Sequence, residues 1–329
     1  MKITVFTETD LRSCVFMDEE SLSEVAKGFS ELSRGRVFLP PILRVEVPEN
    51  HGEVDVKTAF IQGQDSFAIK IAAGFFENQS LGLPTGSGMM VLISAQTGRP
   101  IAVLLDNGYL TDLRTGIAGA IAAKHLAREK IEIVGVIGSG MQARYQVRGL
   151  RLVREFKRLF VYGIEPDEVD KYVSEMTVEL GIDVIKADTP EVVVREAEVV
   201  ITSTPSQDPY LETAWLHPGL HITAMGSDAE HKQELFSDVF EHVDLVVCDR
   251  KTQAFRLGEL HHAREAGSLP PEDEVVELGE LTSEMKTGRT NNDQITVCDL
   301  TGVGVQDTQI ARFAYRRALE NDLGLSIET

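Results

Sequence analysis

The chain has 329 residues, enough for two domains or one large α/β unit, and its 43% hydrophobic content is ordinary for a packed globular protein. With 52 acidic against 32 basic residues the formal charge is −20, which argues against a general nucleic-acid or anionic-membrane surface. Three widely spaced cysteines, Cys14, Cys248 and Cys298, show no zinc spacing and point to a reducing, cytoplasmic chain with no metal site, and no uninterrupted apolar run is long enough to span a bilayer.

A short strand is predicted at residues 3–6, then a helix from Asp18 through Leu32 with a capping-box spacing at Ser21-Leu-Ser-Glu24. Strand-like runs follow at residues 44–47, 55–60, 67–71, 89–93 and 101–105, each bounded by Pro, Gly, Asn or Asp. Without helices between them they suggest a mainly antiparallel sheet. Residues 113–126 then read as an Ala- and Gly-rich helix passing from a first domain into a second, its glycines allowing close approach of another backbone.

From residue 133 the pattern alternates as a doubly wound sheet should. Ile133–Ile137 is an uncharged, β-branched run of the kind buried on both faces of a parallel sheet. It leads into Gly138-Ser-Gly-Met-Gln-Ala143. Gly138 suits a tight turn, Gly140 a close approach to pyrophosphate, and Ala143 the small third position of Gly-x-Gly-x-x-Gly/Ala; Ser139, Met141 and Gln142 complete this dinucleotide loop. Strands are predicted at 158–162, 183–186, 198–202, 220–225, 243–248 and 294–298, with a closing helix from Asp307 to Leu319. The fold expected is a Rossmann-type doubly wound parallel sheet (117–304) beside an α+β antiparallel domain (1–116 with 305–329).

Asp228 follows Gly226-Ser227 at the carboxyl end of a predicted parallel strand, where such sheets place active-site residues. The competing reading is an N-cap for a following helix. Ser203 and Ser227 stand at strand ends but in no nucleophile elbow, and His217 and the His261-His262 pair read as turn and helix-surface residues.

Leu83-Pro-Thr85, Leu110-Thr-Asp-Leu-Arg-Thr115, Gly138 to Ala143, Gly226-Ser-Asp228 and Leu257-Gly-Glu-Leu260 together resemble the ornithine cyclodeaminase/mu-crystallin family over nearly the whole chain. Residues 55–60, 74–78 and 105–111 look most like the cyclodeaminase-like proteins found with ectoine-degradation enzymes. The resemblance implies a homodimer built on the antiparallel domain, a nicotinamide dinucleotide, and a small amino or imino acid substrate. It implies that the substrate carboxylate is held by Arg44, Lys70 and Arg114, with Asp228 the acid/base. Arg114, read as standing at a helix start, would oppose the dipole unless an anion were near. In ornithine-specific members a glutamate stands thirteen residues before the equivalent of Lys70, where this chain has Lys57. A cation cannot hold a distal ammonium, so Lys57 either favours a distal carboxylate or pairs with an acidic neighbour.

After the second strand, Tyr162-Gly-Ile-Glu-Pro166 carries no Arg or Lys, which favours NAD without excluding NADP, with Glu165 the candidate ribose contact. Thr115 is placed near phosphate, Thr202, Ser203 and Thr204 near the nicotinamide ribose, and Ser227 with the cofactor residues. The expectation is hydride transfer at an α-carbon: imine reduction or amino-acid dehydrogenation on an aspartate-like substrate. The alternatives are an ammonia-releasing cyclodeaminase acting on ornithine or another diamino acid, and a non-catalytic, mu-crystallin-like NAD(P) binder.

Overall fold

Alternation and turn residues lay out the first elements: β1 (Lys2–Thr7), α1 (Glu8–Cys14), α2 (Glu19–Ser33), β2 (Val37–Phe38), β3 (Leu43–Val47), β4 (Gly52–Ile61), β5 (Ser66–Phe75), β6 (Gly86–Ser94), β7 (Pro100–Leu105) and α3 (Tyr109–Leu126). The computed structural model describes residues 2–328, apart from the side chain of Gln79. Helix α1 was not foreseen. Thr7 caps it by accepting from the Asp10 N–H while Asp10 reaches back, a Thr-x-x-Asp box just after a strand. The box of α2 lies three residues upstream of the expected one: Asp18 accepts from Ser21 N, and Ser21 returns the bond.

The alternating half continues with β8 (Ile133–Ile137), α4 (Met141–Val153), β9 (Arg158–Tyr162), α5 (Pro166–Leu180), β10 (Asp183–Lys186), α6 (Pro190–Glu196), β11 (Val199–Thr202), β12 (His221–Ala224), β13 (Leu245–Cys248), α7 (Lys251–Leu257), α8 (Glu259–Ala266), β14 (Val276–Glu277), α9 (Leu278–Thr282) and β15 (Thr296–Asp299). The chain closes with α10 (Gly304–Glu320) and β16 (Leu325–Glu328). It divides into two compact units, Met1–Arg114 with Val303–Thr329, and Thr115–Gly302. Each division falls two residues before the expected boundary.

The first unit holds a sheet ordered β16-β1-β7-β6-β5-β4-β2, with β3 also paired to β4. Its pairings are antiparallel except β1 with β7, which run parallel. Helix α10 packs on β4 and β5, and at its first residue the approach is close: a Cβ on Gly304 would lie 2.4 Å from the carbonyl oxygen of Thr58. Along β4 and β5 the buried positions alternate, so Asp55, Lys57, Ala59, Ala68 and Lys70 share one covered face. Three polar residues in that row need charged or hydrogen-bonding partners, and these decide the chemistry of the unit.

The second unit is a fully parallel sheet ordered β10-β9-β8-β11-β12-β15-β13-β14, a Rossmann-type arrangement in which the order reverses between β8 and β11. Val134 and Val136 of β8 are fully buried, each contributing about 1.5–3 kcal/mol of apolar burial. Glycine serves helix contact as expected: a Cβ on Gly149 of α4 would stand 2.4 Å from the Gly116 carbonyl oxygen of α3. Among the described residues no helix is long and apolar enough to cross a membrane.

Candidate active site

In the first unit, cross-strand register sets Lys57 directly opposite Lys70 and Arg44 opposite Asp55. Two lysines facing each other on a buried face repel, so the arrangement stands only with anions beside it. One is supplied by α10. Asp307, with no exposed side-chain surface, places Oδ1 3.1 Å from Lys70 Nζ and 2.9 Å from Arg114 Nε. Arg114 Nη1 also donates to Gln306 Oε1 at 3.4 Å. Burial alone would raise the Asp307 carboxyl, but the charges of Lys70, Arg114 and Lys57 outweigh it and hold the group below the usual range. Burial drives Lys70 the other way, helped by Arg114 and Lys57 and opposed by Asp307, and lowers it to about 7.

Arg44, Lys57, Lys70 and Arg114 are thus all present in this unit, with different commitments. The Arg44 fork is occupied: Nε and Nη2 donate to Asp55 at 2.7 and 2.8 Å, and Nη1 lies 3.6 Å from Glu53. Lys57, only 6% exposed, is 3.9 Å from the same Asp55, so it has the acidic neighbour of one reading while also lying near enough to Lys70 and Asp307 to perturb both. Arg114 is not at a helix start. Helix α3 begins at Tyr109 after a turn in which Asn107 and Gly108 take φ of 51° and 88° and Asp106 Oδ2 accepts from Leu110 N at 2.8 Å. Arg114 sits more than a turn inside, and its anion is Asp307. Asp106 is buried, which raises its carboxyl to about 6 against the bond from Leu110.

In the second unit β8 runs into a turn that only glycine can make. Gly138 has φ of 113°, and a Cβ there would lie 2.7 Å from the carbonyl oxygen and 2.9 Å from the hydroxyl of Ser203. Gly140 is the N-cap of α4 and has nothing within 4 Å of where its Cβ would stand. No side chain caps the N-terminus of this 13-residue helix, the end whose backbone donors and dipole favour a pyrophosphate. Arg144 braces the turn from below, donating to the carbonyls of Ser139 and Gly140 at 2.5 and 3.1 Å. Ser203 Oγ is buried and, among the described residues, has no hydrogen-bond partner. These features fit a dinucleotide. Gly163, where an acidic ribose contact often stands, has no room for a side chain, since its Cβ would be 2.9 Å from Val169 and 3.0 Å from Ser139 Oγ. Glu165 is exposed at the N-cap of α5, where its side chain makes no capping bond.

Asp228 follows β12 in a loop with no helix directly after it, so it is not a helix N-cap. Lys232 Nζ donates to its Oδ1 at 2.7 Å, and His262 Nε2 lies 2.9 Å from the Lys232 carbonyl oxygen, a contact that takes His262 off the bare helix surface. Ser227 donates to the same carbonyl at 2.5 Å. Thr202 and Thr204 are both committed to Glu234, through hydroxyl bonds of 2.6 and 2.7 Å, and the Thr115 carbonyl accepts from Gln146. Asp307, Asp106, Lys232 and Glu234 were not singled out from sequence. A polar residue inside an otherwise apolar helical stripe was the available signal for Asp307.

The model of the ornithine cyclodeaminase/mu-crystallin family matches residues 1–322. An uncharacterized cyclodeaminase of Sinorhizobium fredii is 46% identical over 326 residues, covering 99% of this chain and 98% of the relative. Among solved structures, the Thermococcus litoralis Δ1-pyrroline-2-carboxylate reductase in complex with NADH and L-proline superposes with a TM-score of 0.92 at 28% identity, covering 98% of this chain and all of the other. The iminosuccinate reductase of Paracoccus denitrificans in complex with NAD+ gives 0.91 at 26% identity, covering both chains in full.

Proposed function

Since the chain belongs to the ornithine cyclodeaminase/mu-crystallin family, we propose that it is an NAD-dependent enzyme that reduces the imine, or dehydrogenates the amine, of a small α-amino acid carrying a second carboxylate. The observation that carries the reading is the buried lysine pair: Lys57 and Lys70 face each other across two strands, with Asp307 and Arg114 beside them. Three cations, Lys57 and Lys70 on strands and Arg114 on α3, cluster where burial would ordinarily call for apolar side chains. The iminosuccinate reductase of P. denitrificans, similar along the full chain, gives independent support for an acidic substrate.

In this scheme Lys70 and Arg114 receive the α-carboxylate, and Lys57 receives the distal one. Arg44 would have to release Asp55 to join them. The turn at residues 138–143 and the uncapped N-terminus of α4 hold the pyrophosphate, while Ser203 lends its unpartnered hydroxyl to the cofactor. NAD, when bound, supplies or accepts the hydride at the substrate's α-carbon. Asp228 exchanges a proton with the substrate nitrogen, its carboxylate oriented by Lys232. A dicarboxylate has no side-chain amine to attack the imine, so net reduction or oxidation is the outcome rather than ring closure with loss of ammonia. Exposed Phe38, Leu43, Val45 and Leu81 in the first unit suit burial against a second copy, and light scattering at twice the chain mass is expected.

The test is absorbance at the reduced-nicotinamide band across amino acids, and keto acids with ammonia, paired with ammonia release. Stoichiometric cofactor turnover with an acidic substrate supports the proposal. Ammonia released from a diamino acid without net cofactor change would replace it with a cyclodeaminase.

A further inference from the structure

Two sequence motifs, Gly226-Ser-Asp228 and Leu257-Gly-Glu-Leu260, each contain a glycine pressed against a carboxylate. A Cβ on Gly226 would lie 2.6 Å from Glu234 Oε1, and one on Gly258 would lie 2.2 Å from Asp299 Oδ2. These carboxylates belong to a series. Asp299, at the end of β15, accepts from the Leu260 N–H at 3.0 Å in the first turn of α8. Its neighbour Glu259 accepts from Glu234 N at 2.8 Å and Leu235 N at 3.1 Å. Glu234 in turn accepts from Gly226 N at 2.8 Å, Thr204 N at 2.7 Å and Thr202 Oγ1 at 2.6 Å. Each carboxylate grips the backbone of the segment that bears the next, and the last grips Gly226, two residues before Asp228.

All three acids are buried, and among the described residues none of them forms an ion pair. Burying carboxylates without cations is costly, and apolar packing would hold the same strands together with less desolvation. What an apolar contact cannot do is fix direction. A carboxylate that accepts from several N–H and O–H groups at once locks their relative orientation, and here it locks the end of β11 to the turn after β12.

We propose that Glu234 is a positioning residue for Asp228 and for the end of β11, and that Glu259 and Asp299 are successive links holding Glu234 in place. The proposal rests on Asp228 being the acid/base of the reaction described above. It explains why two motifs more than 30 residues apart both need glycine before an acid: the glycines make room for the linked carboxylates.

The test is Glu234→Gln in the full chain, with Tyr210→Phe as control. Gln keeps the size but turns an NH2 toward Gly226 N or Thr204 N, so one backbone donor loses its acceptor. Tyr210→Phe removes the phenol's bond to Glu234 and the long one it accepts from Thr204 Oγ1, and leaves the backbone bonds to Glu234 in place. Hydrogen–deuterium exchange of peptides spanning 224–230 should rise about tenfold or more in Glu234→Gln. Turnover should fall about tenfold to 100-fold with substrate KM within about threefold, because the carboxylate-binding cations are untouched. The limb of the pH–rate profile belonging to Asp228 should shift, and Tyr210→Phe should match wild type within about twofold in every measurement. A folded Glu234→Gln with unchanged exchange and turnover overturns the tether. If that variant does not fold, Glu259→Gln replaces it: faster exchange at 224–230 supports the series and unchanged exchange overturns it. Exchange needs no substrate, so a wild-type protein that turns over no amino or imino acid would sink the proposed reaction while the tether is still judged on its own readout.

Discussion

Lys70 gives the sharpest prediction. Its ammonium is buried beside Arg114 and opposite Lys57, and its pKa stands at about 7 against an ordinary 10.5. The difference corresponds to roughly 5 kcal/mol of disfavour for the charged form, as an order of magnitude. Between those two values the unfolded chain holds this proton and the folded chain does not. Lys70's contribution to stability therefore rises with pH across that window. Anion binding runs the opposite way, because only the charged lysine attracts a carboxylate. For each pH unit above about 7 the charged fraction falls about tenfold, and so should the affinity for a dicarboxylate. Succinate is a suitable probe, since it has no amine to titrate. Calorimetric titration at fixed ionic strength should show its dissociation constant rising by roughly two orders of magnitude from about pH 7 to about pH 9. Lys70→Arg, which stays charged throughout, should flatten the curve to within about threefold. A flat wild-type profile, or parallel curves for the two proteins, would refute the reasoning.

Asp307→Asn strips the anion from a buried triad in which Arg114 cannot shed its charge; chemical denaturation should show a loss of about 3–5 kcal/mol, and a loss under about 1 kcal/mol would show that the pair carries little. Asp228→Asn should lower turnover by about 100-fold to 10,000-fold and leave NADH affinity, read by fluorescence quenching, within a few-fold. Undiminished turnover removes it from the mechanism. Lys57→Glu should weaken an acidic substrate by about tenfold or more while sparing a monocarboxylate, and equal kinetics on both would take Lys57 out of the substrate's reach.

The fold was legible where the pattern is local. An uncharged β-branched run ending in Gly138 can be little other than a buried strand and a tight turn, and alternation along β4 sets Lys57 on the face of Asp55 and Ala59, whereas the register that brings Lys70 opposite Lys57 is not written in either strand alone. What stayed hidden depends on partners distant along the chain. Nothing near Asp307 says that it answers Lys70 and Arg114, which lie far upstream, and an acid in the first turn of a helix reads as an ordinary dipole partner. The start of α3 was misjudged because Asp106-Asn-Gly108 looks like a loop, whereas Asp106 uses its side chain to begin the helix. Glu234 lay in a stretch with no regular structure, so its five donors had no sequence pattern to announce them.

The unit that carries the cations is assembled from both ends of the chain, residues 2–114 and 303–328, and the second unit is the continuous stretch between them in sequence. On a ribosome, therefore, the nucleotide-type sheet has all its strands before the first sheet receives α10 and its outer strand β16. Until α10 emerges, Lys57 and Lys70 face each other without Asp307, and the charged row on β4 and β5 has no cover. Charge neutralisation is thus one of the last steps of synthesis. A chain that stops before Val303 keeps every strand of the parallel sheet and loses the anion that makes its lysine pair tolerable.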